Sequence, residues 1–263
     1  MGLGERILIR LSKNPSIDDG KRPTGPDPLS SRTIKDHHSA LLHDFGSFFF
    51  EAIRGRVVLD LGCGYGNDGW ALIEAGARWV AGVDFQEKIL PRIHNQKSLA
   101  YLCADARTLP FADKTFDAIL TKDSMEHFPD PAHVLKECRR ILRPGGLIFI
   151  TFGPLWLSPY GAHVWYFTPI PWVHLLFSER TIMSVRSRFR NDGAKRYEEV
   201  EGGLNRMTLR KFYRVIKDAG LQIERIDLYP VKKLVPLTYI PGLREFFTNK
   251  VVCVLQKDSP TTG

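Results

Sequence analysis

Val57-Val58-Leu59-Asp60-Leu61-Gly62-Cys63-Gly64-Tyr65-Gly66-Asn67-Asp68-Gly69 is the stretch on which the reading of this chain turns. A β-branched, apolar run ending in an acid, then glycines at alternate positions, then Trp70-Ala71-Leu72-Ile73 at helical spacing, predicts a buried strand bending sharply into a helix. The glycines permit positive φ and let backbone approach a ligand that a Cβ would block. The helix that follows points its free N–H groups and positive dipole end at whatever lies over the bend. Two nucleotide-type readings compete. Gly64, Gly66 and Gly69 satisfy G-x-G-x-x-G, with Asp84 about 20 residues on where a dinucleotide ribose wants an acid. The other register is D-x-G-x-G-x-G, from Asp60 through Gly62, Gly64 and Gly66.

Downstream, Trp79-Val80-Ala81-Gly82-Val83-Asp84 reads as a second buried strand closed by an acid, followed by Phe85. A carboxylate there sits where open parallel sheets bind ligands and can accept from both hydroxyls of a ribose. Cys103-Ala104-Asp105-Ala106, with Leu109-Pro110-Phe111 and Asp113 to Asp117 behind it, completes a string that strongly resembles the class I S-adenosylmethionine-dependent methyltransferases. Within them it is most similar to the quinone-biosynthesis C-methyltransferases. The resemblance runs strongly over about residues 53–152 and moderately over 208–257. It implies a Rossmann-like, doubly wound seven-stranded α/β sheet, mostly parallel with an antiparallel last strand, and S-adenosylmethionine as cofactor. It also implies cofactor-binding roles for Asp60 (methionine ammonium), Gly62, Cys63, Gly64, Tyr65 and Gly66 (glycine loop), Asp84 (ribose) and Phe85 after it, Asp105 and Ala106 (adenine), and Lys122 and Asp123 (end of strand four). Asp113 and Asp117 read as structural, a turn and a strand start.

The rest of the chain is organised around that sheet. The spacing predicts a short amphipathic helix over Met1 to Ser12, a linker from Asn14 to Ser31, and one helix from about Arg32 to Ile53. A helix from Glu87 to Asn95, strands at 99–103, 116–122 and 147–152, and a helix over 132–142 continue the alternation. An aromatic and basic insertion occupies about residues 153–205, with helices expected near 171–177 and 179–190. Thr208 caps a helix ending at Gly220, and strands at 221–228 and 250–256 close the sheet. The domains are therefore an N-terminal extension and linker (1–31), a methyltransferase domain with a substrate cap (32–257) and a tail (258–263).

The 263 residues and 43% hydrophobic content suffice for a full core, and no run approaches the roughly 18 apolar residues of a membrane span. The first residues lack a secretory apolar stretch, and Arg6 stands where a myristoylation signal wants Ser or Thr, so a soluble, cytoplasmic chain is expected. Cys63, Cys103, Cys138 and Cys253 form no metal-type pair and read as small buried residues. No metal is expected, because His37 and His38 cannot share a helix face. A net charge of +8 suits an acidic or phosphate-bearing substrate or a membrane surface, the alternative being a solvated basic face.

A sulfonium methyl is already electrophilic, so the protein must chiefly align an acceptor and exclude water. A hydroxyl or acidic carbon acceptor also needs a base. His127, after strand four, and His163, in the insertion, are the catalytic candidates, His163 being rated the higher. The interleaved aromatics and arginines of the insertion suit a small or lipid-like acceptor, and the helix at residues 1–12 offers a peripheral membrane contact. Nucleic acid is disfavoured, since no recognised RNA-binding module is appended. The competing functions are an RNA methyltransferase, an NAD-dependent oxidoreductase on the Gly64 register and a catalytically silent binding protein.

Overall fold

The apolar stretch from Val57 to Leu61 becomes the centre of a seven-stranded sheet because both of its faces find cover. The computed structural model describes residues 2–12, 31–90, 97–200, 202–231, 240 and 242–259. Helix α1 (Leu3–Leu11) precedes α2 (Ser31–Phe45) and α3 (Ser47–Ile53); then come β1 (Val57–Leu61), α4 (Asn67–Glu74), β2 (Trp79–Asp84) and β3 (Leu99–Cys103). β4 (Phe116–Lys122), α5 (Pro131–Ile141) and β5 (Leu142–Phe152) follow, then the insertion with α6 (Val173–Leu176) and α7 (Glu179–Arg186). α8 (Leu209–Ala219), β6 (Gln222–Pro230) and β7 (Thr248–Gln256) end the domain. The sheet order is β3-β2-β1-β4-β5-β7-β6, with β7 antiparallel to both neighbours and the first five strands parallel.

Alternation along β1 divides the core. Val58 joins Leu41, Phe45 and Phe49 on the face covered by α2, α3 and α4, while Leu59 and Leu61 join Val134, Leu135 and Phe212 on the face covered by α5 and α8. All of these are buried, which makes β1 a strand without a solvent face. The C-terminal ends of the parallel strands open together on one edge, where ligands bind in such sheets.

Several expectations need correction. The single helix expected over residues 32–53 is two, because Gly46 takes φ +74 and starts a new helix. The helix after the glycine bend begins at Asn67 rather than Trp70. Residues 87–89 form one 3₁₀ turn instead of the start of a longer helix; the remainder of that segment, the linker at 13–30 and the tail from 260 lie outside the described residues. Cys63, Cys138 and Cys253 are buried, whereas Cys103 is exposed, its thiol donating to the Phe85 carbonyl from the sheet's edge strand. The N-terminal helix, expected as a loosely docked terminus, packs on the insertion, with Leu8 fully buried among Phe167, Val173, Ile182 and Met183. The insertion has a hydrophobic core of its own, as a fifty-residue excursion must if it is to hold a shape. Among the described residues no helix is long and apolar enough to cross a membrane.

Candidate active site

The bend after β1 is built by left-handed glycines at positions 62, 64 and 66, with φ of +78, +51 and +77. The N–H groups of Gly62 and Cys63 donate to the Val83 carbonyl at 2.8 and 3.1 Å, tying the bend to β2. Asp84 ends β2 and holds the next part in place. Its Oδ2 accepts from the Gly64 N–H and its Oδ1 from the Gln86 N–H, both at 3.0 Å. A carboxylate held by two amides keeps lone pairs on both oxygens for a second pair of donors. Gly66 caps α4, and its carbonyl accepts from the Tyr101 hydroxyl at 2.6 Å.

A cavity of about 520 Å³ lies over this edge, within the size range of small-molecule sites. Of the residues proposed from the sequence, Gly62, Asp84, Phe85, Asp105, Ala106, Lys122 and Asp123 line it, as does His127. Cys63, Gly64, Tyr65 and Gly66 do not: they shape the bend, with Cys63 buried behind it and Tyr65 half-exposed to its side. Asp105 is at the rim, its carboxylate gripped by the Arg107 guanidinium at 2.6 Å, which holds its pKa below the usual range. Asp113 and Asp117 stay outside: Asp113 pairs with Arg140, and Asp117 accepts from the Val57 N–H and pairs with Arg143.

Beneath the cavity Asp60 is almost fully buried, and its Oδ2 has no hydrogen-bond partner among the described residues. Burial, reinforced by the nearby carboxylate of Asp68 and opposed by Lys122, pushes its pKa well up. Lys122 is already committed, with Nζ 2.9 and 3.0 Å from the two Asp68 oxygens, while His37 Nδ1 lies 2.7 Å from Asp68 Oδ1. Two carboxylates facing one ammonium leave a deficit of positive charge at an orphaned oxygen, which is what a cationic ligand would relieve. His37 and Asp68 were not legible as site residues. They come from α2 and α4, and only packing of one helix over the other brings them together.

The turn after β4 forms the opposite wall. Asp123 is left-handed, with φ +50, and Ser124 Oγ donates to the Lys122 carbonyl at 2.9 Å. His127 Nδ1 lies 2.6 Å from the Gly203 carbonyl. A carbonyl only accepts, so Nδ1 carries the hydrogen and Nε2 keeps its lone pair. Burial lowers the His127 pKa, offset in part by that bond, so the ring is neutral near pH 7. Asn205 secures the same turn by donating from Nδ2 to the Met125 and Phe128 carbonyls, a role no local pattern announced.

Glu126 in this turn is a further buried acid. Its Oε1 accepts from the Gly153 N–H at 3.0 Å and its Oε2 has no partner among the described residues; burial pushes its pKa up to about 8 from 4.5. Between those values the folded protein keeps a proton that the unfolded chain releases, so stability falls as pH rises from about 4.5 to 8. Glu126→Gln retains the acceptor for Gly153. It should flatten that slope and leave the variant more stable than the parent at pH 8, by up to a few kcal/mol at about 1.4 kcal/mol per pH unit. Urea unfolding at pH 6 and pH 8 checks this, and equal slopes for the two proteins would refute it.

His163 is elsewhere. It takes φ +55 and lines a second cavity of about 370 Å³ in the insertion, with Trp165, Tyr166, Met183, Arg186 and Asp192. Its Nε2 is buried without a partner among the described residues, and burial together with the His127 ring 5.4 Å away pushes its pKa down to about 3. A group so weakly basic is a poor general base at neutral pH. Arg186 is buried and paired with Asp192 through both of its terminal nitrogens, at 2.6 and 2.5 Å. Arg190 lies over the Tyr166 ring, 5.1 Å from its centroid. His127 and Val200 line both cavities, so the two share a wall.

The sheet order, the double acid ending β1 and β2, and the positive-φ bend between them meet a direct comparison. A family model described as a methyltransferase domain matches residues 59–150. A methyltransferase of Mycobacteroides abscessus, itself uncharacterised, is 31% identical over 211 residues, covering 78% of each chain. The chain belongs to the class I S-adenosylmethionine-dependent methyltransferases. The ubiquinone biosynthesis O-methyltransferase of Neisseria meningitidis is 34% identical to this methyltransferase over 106 residues, 38% of this chain and 44% of that protein. An S-adenosylmethionine-dependent methyltransferase from Mesorhizobium loti shares the fold, with a TM-score of 0.53 at 16% identity, over 78% of this chain and 93% of that one. The methyltransferase is therefore an enzyme of transfer chemistry, and the dinucleotide register of its glycines does not define it.

Proposed function

We propose that the chain transfers a methyl group from S-adenosylmethionine to a small acidic or hydrophobic metabolite, taken up by the cavity of the insertion. The observation that carries this reading is the wall common to the two cavities, formed by His127 and Val200. The cofactor supplies an electrophilic methyl when bound. Its fit rests on the orphaned Asp60 Oδ2 for an ammonium, the lone pairs of Asp84 for vicinal hydroxyls, and the Phe85 face with the Asp105-Ala106 rim for a planar base. The protein's own work is orientation and desolvation, with Met183, Leu204 and Val164 giving the second cavity an apolar wall. His127 Nε2 accepts a proton from a hydroxyl or acidic-carbon acceptor, and His163 Nε2 provides a polar contact that fixes the acceptor's orientation.

The aromatic lining of the second cavity, Trp165 and Tyr166, supports an acceptor with a planar or apolar body. The Neisseria relative matches over only 38% of this chain, so what its name says of ubiquinone biosynthesis does not carry over on alignment alone. A cytoplasmic location belongs to the same reading.

His127→Gln should lower kcat about 10²-fold or more for an acceptor that needs deprotonation. His163→Gln should instead raise the acceptor KM, with cofactor affinity unchanged in both variants. Steady-state kinetics and calorimetry separate the two, and unaltered turnover in His127→Gln would remove the base. The experiment for the function itself is incubation with methyl-labelled cofactor and cell extract, followed by fractionation. Label in the small-molecule or lipid pool supports the reading. Label in RNA, with binding that weakens steeply with salt, replaces it with the RNA enzyme. Binding of the cofactor with no label transferred leaves the silent module.

A further inference from the structure

Helix α1 is amphipathic twice over. At 3.6 residues per turn its inward arc carries Gly4, Leu8 and Ile9, with Leu8 fully buried in the core of the insertion. Leu3, Ile7 and Leu11 form a second stripe on the outward arc and remain 76%, 42% and 52% exposed. A docked terminal helix has no structural need for that stripe. Arg6 and Arg10, both exposed, border it on one side. A Cβ on Gly4 would be 3.7 Å from the Phe177 ring, which places the end of α6 against the first turn of α1. There Leu175 and Leu176 are exposed as well, the latter 67%. Leu3, Ile7 and Leu11 thus share the outward arc of α1 with Arg6 and Arg10, and the end of α6 beside this helix adds the exposed Leu175 and Leu176.

We propose that this face docks peripherally on an anionic lipid surface. Charge selects the occupant: an apolar stripe edged by arginines, on a chain of net charge +8, suits acyl chains under acidic headgroups. The position has a consequence. α1 packs on α7, and α7 supplies Met183 and Arg186 to the wall of the second cavity. Docking would hold that cavity beside the lipid phase, where a lipid-like acceptor resides. The docking claim itself does not depend on the proposed reaction.

The full-length chain is floated with vesicles of phosphatidylcholine alone and of phosphatidylcholine with phosphatidylglycerol. Partition into the mixed vesicles should exceed that into the neutral ones by about tenfold and fall with added salt. Leu3→Asp/Ile7→Asp should lose it, and Arg6→Glu/Arg10→Glu should lose the preference for anionic lipid. Both variants alter exposed side chains, so melting temperature and cofactor affinity should be unchanged, which separates this outcome from failure of the catalytic reading. Equal partition into both vesicle types, or binding indifferent to both variants, overturns the proposal. So does a dimer of the parent chain that Ile7→Asp splits, which would make the face a contact between two copies.

Discussion

Asp84→Ala should lose S-adenosylmethionine affinity by about 10²-fold or more. Each charge-assisted hydrogen bond to a sugar hydroxyl contributes about 1.5–3 kcal/mol, so two together exceed the roughly 2.7 kcal/mol of a hundredfold change. The same substitution leaves the Gly64 and Gln86 amides without their acceptor, loosening the bend at its second glycine and lowering stability by about 1–3 kcal/mol. Asp84→Asn keeps one carbonyl acceptor and should fall between. Calorimetric titration of both variants with the cofactor is the check, and parental affinity in Asp84→Ala would remove the ribose role and with it the proposed placement of the cofactor. Titration with NAD should show no binding in either variant or the parent.

The second large effect is expected at Gly62. A Cβ there would collide with Ser124 Oγ and come within 2.8 Å of Ser124 Cβ, on a backbone at φ +78. Overpacking costs about 1–3 kcal/mol and a left-handed alanine about 1–2 more, so Gly62→Ala should melt several degrees lower, up to about 10 °C. Ser124→Gly removes the obstructing side chain. The double variant Gly62→Ala/Ser124→Gly should recover the clash component and not the conformational one, giving a coupling of about 1 kcal/mol or more. Simple additivity of the two substitutions would show that the bend has room that the packing denies. Gly64 makes the contrast, since a Cβ there meets nothing within 4 Å and only its φ would resist.

The strand ends and the bend were legible because they are local. Asp60 and Asp84 each close a run of apolar residues, and the alternating glycines announce a backbone that no other residue adopts cheaply. The cap of α8 at Thr208 and its end at Gly220 were legible for the same reason: Thr208 Oγ accepts from the Lys211 N–H, and Gly220 is left-handed at φ +64. The break at Gly46 was missed because apolar spacing continues across it, from Phe45 to Phe49. The relative basicity of His127 and His163 is not legible in the sequence, because burial, which sets it, is not a property of nearby residues.

The chain's own order of residues determined the sheet, the bend and the acids at its lip, through periodicities of two and 3.6 and through turn chemistry acting over a few positions. Tertiary packing alone decided the rest. It brought His37 over Asp68 and Lys122, set Asn205 under the His127 turn, joined the N-terminal helix to the insertion and put His127 in the wall between two cavities. Those partners are separated by some thirty to more than a hundred and fifty residues. Their meeting depends on which apolar faces bury each other, a choice made by the whole core at once.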